Sequence, residues 1–149
     1  MIAWRISKRK YPPYDGRGAA LAGARWSSPG REVIYSSSSF AGAILEILVH
    51  SARPRTLPGP HHAVRIEIRD DLIEELDPND LPGWEQKESP EARSFGDRWV
   101  EERRSAVMIV PALPGRHIGR TVLVNPGHPA AREISASEPF VVPWDEWLF

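Results

Sequence analysis

Residues 23–50 read GARWSSPGREVIYSSSSFAGAILEILVH, and their interpretation decides the rest of the chain. Pro29 and Gly30 sit where a turn requires them. The β-branched segment that follows predicts a strand near Glu32 to Ser36, bounded by breakers on either side. One of Ser37, Ser38 and Ser39 then caps a helix running from Phe40 to about Ser51, because a serine hydroxyl can accept from an early backbone N–H. Along that helix the apolar residues leave a narrow polar stripe of Gly42, Glu46 and His50, spaced four apart. The stripe has two readings. Glu46 stands in water, paired at best with His50; or the stripe lines a cleft, with Gly42 small so that a ligand can approach. Arg25 is either solvated surface or a bidentate phosphate binder among small and hydroxyl residues. Tyr35 is either core or a flat face on which a heterocycle stacks. Taken together they supply an anion binder, an aromatic platform and a carboxylate. That set suits a nucleotide-like substrate in which a cationic centre develops next to a phosphate.

Working outward, IAWRI (2–6) predicts a strand, and AALAGARW (19–26) fits either a helical turn or a strand edge. HAVRIEIR (62–69) alternates with period two, setting Val64, Ile66 and Ile68 on one face of a half-buried strand. DDLIEELDPNDLPGW (70–84) holds a short strand or turn and then a Pro-rich loop, and SPEARSFGDRWVEERRS (89–105) is an amphipathic helix with Phe95 and Trp99 on one face. AVMIVPA (106–112), RTVLVNP (120–126) and PFVVPW (139–144) predict three more strands. This mixed order, with strands crowded into the second half, predicts an α+β domain, and 149 residues suffice for one core.

Composition narrows the function. The formal net charge is −1 with no long run of one sign, which argues against direct nucleic-acid or membrane-surface binding, both of which depend on clustered cations. The absence of cysteine excludes disulfides, thiolate nucleophiles and Cys-ligated zinc. The longest apolar run, around Ile44 to Val49, falls far short of the roughly 20 residues of a membrane span, and the first residues lack a signal-peptide pattern. The expectation is a soluble, cytoplasmic protein. His61 and His62 are adjacent, so their side chains diverge, and no third ligand has a useful spacing; a metal is not expected. A Ser–His hydrolase lacks its G-x-S-x-G elbow. Asn125 and His128, in NPGHP, either touch substrate or stabilise a turn.

Several motifs recur in order: WRI at 4–6, GARWSSPG at 23–30, VIYSSSS at 33–39 and LEILVH at 45–50, then LPGW at 81–84, FGDRWV at 95–100, IVPA at 109–112, VNPGHP at 124–129 and the terminal WDEWLF. With these the chain resembles the RES domain, the toxin half of RES–Xre toxin–antitoxin pairs. The resemblance implies that residues 1–149 form a single RES domain. Its fold would be ADP-ribosyltransferase-like, with two small β-sheets forming a cleft plus short helices. It also implies an enzyme that consumes NAD+ without a metal, passing ADP-ribose to water, to phosphate or to a protein target. An Xre-like antitoxin would cover the cleft. The family's arginine falls on Arg25, its tyrosine on Tyr35 and its catalytic glutamate on Glu46. Arg5, Ser27, Ser36 and Asn125, within the matching motifs, are further candidates. The family's serine in a VPS motif is Ala112 here, and Ser105, close in sequence, is the candidate substitute. The lost serine supports a rival reading, an impaired relative acting only as a partner-binding module. Chemistry favours the enzyme: cleaving the nicotinamide–ribose bond passes through an oxocarbenium-like state, which a fixed carboxylate such as Glu46 stabilises.

Overall fold

A computed structural model describes residues 1–51, 55–116 and 118–149. In chain order the elements are β1 (Ile2–Lys8), α1 (Arg17–Ala22), β2 (Ile34–Ser37), α2 (Phe40–Val49), β3 (His61–Glu67), β4 (Ile73–Glu75), α3 (Pro90–Glu102), β5 (Val107–Pro111), β6 (Arg120–Val124), β7 (Ser135–Ala136) and β8 (Phe140–Val141). The strands follow the order β4-β5-β6-β2-β1-β3-β7, with β8 also pairing β3. All pairs are antiparallel except β4 with β5.

The α+β class is therefore as expected, and the two small sheets expected are joined into one curled path. The join is slim. β2 pairs with β6 over four residues, Ile34 to Ser37, but meets β1 only at Trp4 opposite Ser37. The sheet thus consists of two halves, β4-β5-β6-β2 and β1-β3 with β7 and β8, held at one registered pair.

The two longer helices, α2 and α3, each cover one half. Ser39 caps α2, its hydroxyl accepting from the Gly42 N–H at 3.0 Å, so the expected serine cap and helix are both present. α2 buries Ala43 and packs Phe40, Ile44 and Ile47 against Ile6, Ala63 and Val142 of the β1-β3 half. Ser89 caps α3 through the Ala92 N–H at 3.1 Å, Pro90 occupies the first turn, and left-handed Arg103 ends the helix. Trp99 on α3 is fully buried with Met108, Val110 and Leu123 of the β5-β6 half. The opposite face of the sheet packs Ala3, Ile34, Val64, Ile66, Val107, Val122 and Val124. Along β6 the alternation is complete, with Val122 and Val124 on that face and Leu123 under α3.

Two sequence expectations are refined. The ambiguous AALAGARW becomes the end of α1 followed by a loop closed by an Ala24–Ser27 bridge. His61 and His62 open β3 and diverge as expected. His61 is buried with its ring edge on Trp144, and its Nδ1 lies 2.6 Å from the Gly59 carbonyl; His62 reaches the Tyr11 carbonyl.

Candidate active site

Between the two helices, above the slim join, lies a cleft of about 1030 Å³. Its walls come from the 23–26 loop, from β2, from α2, from residues 87–93 and from the end of β5. Arg25, Tyr35 and Glu46 all line it, although they sit on a loop, a strand and a helix.

The Arg25 loop is fixed from three sides. Gly23 takes a positive φ of 71°, with Pro29 pressed against it. From below, the Tyr35 hydroxyl accepts from the Trp26 N–H at 3.2 Å and pairs with the Ser27 hydroxyl at 2.8 Å. Burial raises the Tyr35 phenol to about 12, so it stays protonated and anchors the loop. From the side, α3 carries Gly96 so close that a Cβ there would stand 1.6 Å from the Trp26 carbonyl oxygen. The next residue, Asp97, accepts from both the N–H and the hydroxyl of Ser28. Trp26 itself stacks on Trp84 and meets Phe95 edge to face.

Arg25 is held in turn by backbone. Nη1 donates to the carbonyls of Trp84 at 2.9 Å and Gln86 at 2.6 Å, and Nη2 to that of Lys87 at 3.4 Å. Burial lowers its pKa and Glu46 pulls it back up, so the two charges sense each other across the cleft. Glu46 is not on a freely solvated stripe: its side chain is 37% exposed, and burial raises its carboxyl above its usual value against the opposing pull of His50 and Arg25. His50, one turn on, lies 3.6 Å away.

The other candidates separate. Arg5 lines the cleft, but its guanidinium is tied to the carbonyls of Pro13, Tyr35 and Asp15, which makes it a strut under β2. Ser36 also lines it, with its hydroxyl donated to the Val122 carbonyl at 2.7 Å. Ser27 is fully buried behind the wall, against Tyr35. Ser105 and Asn125 do not reach the cleft. Ser105 accepts from Trp99 Nε1 and donates to the Val107 carbonyl, so sequence proximity to Ala112 does not make it a substitute hydroxyl. Asn125 is a turn residue, bonding the Gly127 N–H and the Val100 carbonyl. Ala112 does line the cleft and presents only a methyl group; the hydroxyl residues nearby are Ser37 and Thr121, which face each other across β2 and β6. Sequence reasoning passed over Thr121 and Arg93, on elements whose pattern reports only burial, and Lys87, in the loop before α3. Among the described residues there is no cluster of acids or histidines that could hold a metal, and no helix long and apolar enough to cross a membrane.

A family model described as the RES domain matches residues 2–145. Curated relatives include a "Prs ADP-ribosylating toxin" of Sphingobium sp., 35% identical over 144 residues, spanning 89% of this chain and 87% of the relative. A "Toxin Res" of Pseudomonas putida is 35% identical over 136 residues (89% of each chain), and another of Yersinia enterocolitica is 32% identical over 155 residues, 99% of each. Among solved structures, a chain in the crystal structure of the M. tuberculosis MbcT–MbcA toxin–antitoxin complex superposes with a TM-score of 0.72. It is 15% identical, and the match covers 95% of this chain and 83% of that one.

Proposed function

The chain belongs to the RES domain family, and from that premise we propose that it is a toxin that consumes NAD+. The observation that carries this reading is the meeting of Arg25, Tyr35 and Glu46 on one cleft, where the charges of Arg25 and Glu46 act on each other at a distance. In the reaction the bond between the anomeric carbon and the pyridinium nitrogen breaks. Its electron pair leaves with nicotinamide, now neutral, and the ribose carries the oxocarbenium charge until a nucleophile adds to it.

Each residue has a role that its setting supports. Glu46, half-buried in the cleft wall, would in its ionised form offset the developing cation more strongly than a carboxylate in open water. Arg25, its terminal nitrogens tied to carbonyls, offers its remaining edge to a phosphate in a fixed orientation. Tyr35, its hydroxyl committed to the loop, has only its ring to give, and stacks on the nicotinamide. The relative named as an ADP-ribosylating toxin supports ADP-ribose transfer to a protein; water and phosphate are the other acceptors. The neighbour crystallised as a toxin–antitoxin complex supports a partner for this chain, which we take to be an Xre-like antitoxin seated over the cleft mouth in the cytoplasm.

Incubation of the purified chain with NAD+, with and without phosphate, should release nicotinamide, and mass spectrometry of the products and of cellular proteins after brief expression should identify the acceptor. A folded chain that releases no nicotinamide under any condition would refute the enzyme. That outcome would favour the second reading, a partner-binding module, whose support is the methyl group of Ala112 where the family places a hydroxyl.

A further inference from the structure

Three arginines line the cleft, and two of them are committed. Arg5 is spent on three backbone carbonyls. Both protons of Arg25 Nη1 are engaged by Trp84 and Gln86, and one of Nη2 reaches the Lys87 carbonyl, so Arg25 keeps its Nε–H and the second Nη2 proton for a ligand. One guanidinium edge grips one phosphate group in bidentate fashion. A dinucleotide bridge has two phosphates, each with a negative charge, and the second needs a partner of its own.

Arg93 is placed to be that partner. It is exposed on the first turn of α3, it lines the cleft, and among the described residues its guanidinium has no ion pair or hydrogen bond. The acid four residues on, Asp97, is the helical neighbour that would ordinarily pair with it. Asp97 is instead occupied by the Ser28 N–H at 2.8 Å and hydroxyl at 2.5 Å. Arg93 is close enough for its charge to act on the Tyr35 hydroxyl. Lys87, whose carbonyl holds Arg25, lines the same wall with an exposed ammonium free of partners among the described residues. Glu88 is the acid of that wall. Arg25, Lys87 and Arg93 thus gather three cations on one side of a cleft whose opposite side carries Glu46, in a chain of net charge −1. Local placement, not composition, gives this wall its sign.

We propose that Arg93, with Lys87 beside it, holds the second phosphate of the dinucleotide's pyrophosphate bridge while Arg25 holds the first. The proposal rests on the NAD+ reading above. Arg93 is then a specificity residue: it lets the cleft distinguish a diphosphate-linked substrate from a nucleoside or a monophosphate.

The test compares wild type, Arg93→Gln and Arg93→Lys. Calorimetry with ADP and with AMP reads the second phosphate without requiring turnover, and steady-state nicotinamide release gives KM and kcat. Arg93→Gln should raise the ADP dissociation constant and the KM for NAD+ about tenfold each, the value of one charge-assisted contact, while kcat holds. AMP binding should fall much less, inhibition by nicotinamide should not move, and Arg93→Lys should recover most of the loss. Unchanged ADP binding in Arg93→Gln overturns the proposal. So does an equal loss for ADP and AMP, or a parallel loss of nicotinamide inhibition, which would mark a general collapse of the site. If wild type binds ADP yet releases no nicotinamide, the catalytic reading fails while the phosphate contact is still decided by the titration.

Discussion

Glu46→Gln separates catalysis from folding. Gln is nearly isosteric and has similar helix propensity, and Ser39 and the apolar face of α2 are untouched, so the helix should survive. The contact with His50 is lost, but His50 is 78% exposed, and pairs of that kind contribute about 0–1 kcal/mol. The opposing effect comes from burial, which raises the folded pKa of Glu46 above its unfolded value. A carboxyl shifted in that direction favours the fold below its unfolded pKa and loses that contribution as pH rises through the folded one. Above the folded pKa burial disfavours the charged form, and Gln removes that opposition. The variant should melt at or slightly above the wild-type temperature at pH 7, with any advantage vanishing in acid. Turnover should fall roughly 10²–10³-fold, about 3–4 kcal/mol of transition-state stabilisation. Nicotinamide release and thermal melts followed by circular dichroism at two pH values provide both readings. Equal rates would refute the catalytic role; a melt depressed by more than about 1 kcal/mol would refute the claim that Glu46 is held at the expense of the fold.

The site loop offers further tests. Gly96→Ala forces a methyl group onto the Trp26 carbonyl, 1.6 Å away, and should cost at least about 1–3 kcal/mol, seen as a lowered melting temperature. Gly18→Ala in α1, with nothing within 4 Å, should instead gain about 0.5–1 kcal/mol. Tyr35→Phe strips the buried Trp26 N–H and Ser27 hydroxyl of their partner, costing about 1–3 kcal/mol and weakening NAD+ binding in a calorimetric titration. Arg25→Lys keeps the charge but cannot serve the carbonyls of Trp84, Gln86 and Lys87 together with a phosphate, so affinity for NAD+ should drop with the fold intact; unchanged affinity would return Arg25 to surface decoration.

The local elements around the site were legible because their signals are local. The Ser39 cap, the apolar face of α2 and the alternation of β3 are written in neighbouring residues, and each element formed close to its expected limits. The pairing of β2 with β6, across nearly ninety intervening positions, leaves no such mark. For the same reason Ser105 looked close to the missing serine in sequence while its hydroxyl serves Trp99. Arg93 was invisible because its freedom depends on Asp97 being claimed by Ser28, a contact between distant segments. The two-residue strand at Ser135–Ala136 is too short to carry a period.

The slim join at Trp4 and Ser37 makes the proposed site a relation between two packed halves of one sheet. Glu46 rides on the helix packed against the β1-β3 half, while Arg25 answers to α3 and the 84–87 segment over the other. If the chain acts as proposed, the spacing of these two side chains depends on how the halves pack, through the Trp4–Ser37 pair, the Arg5 strut and the shared core of Ala3, Ile34, Val64 and Val122. On the NAD+ reading, a protein that spread these halves would disturb the site without touching a reacting atom. Inhibition of this kind would show as a fall in kcat that added NAD+ does not relieve.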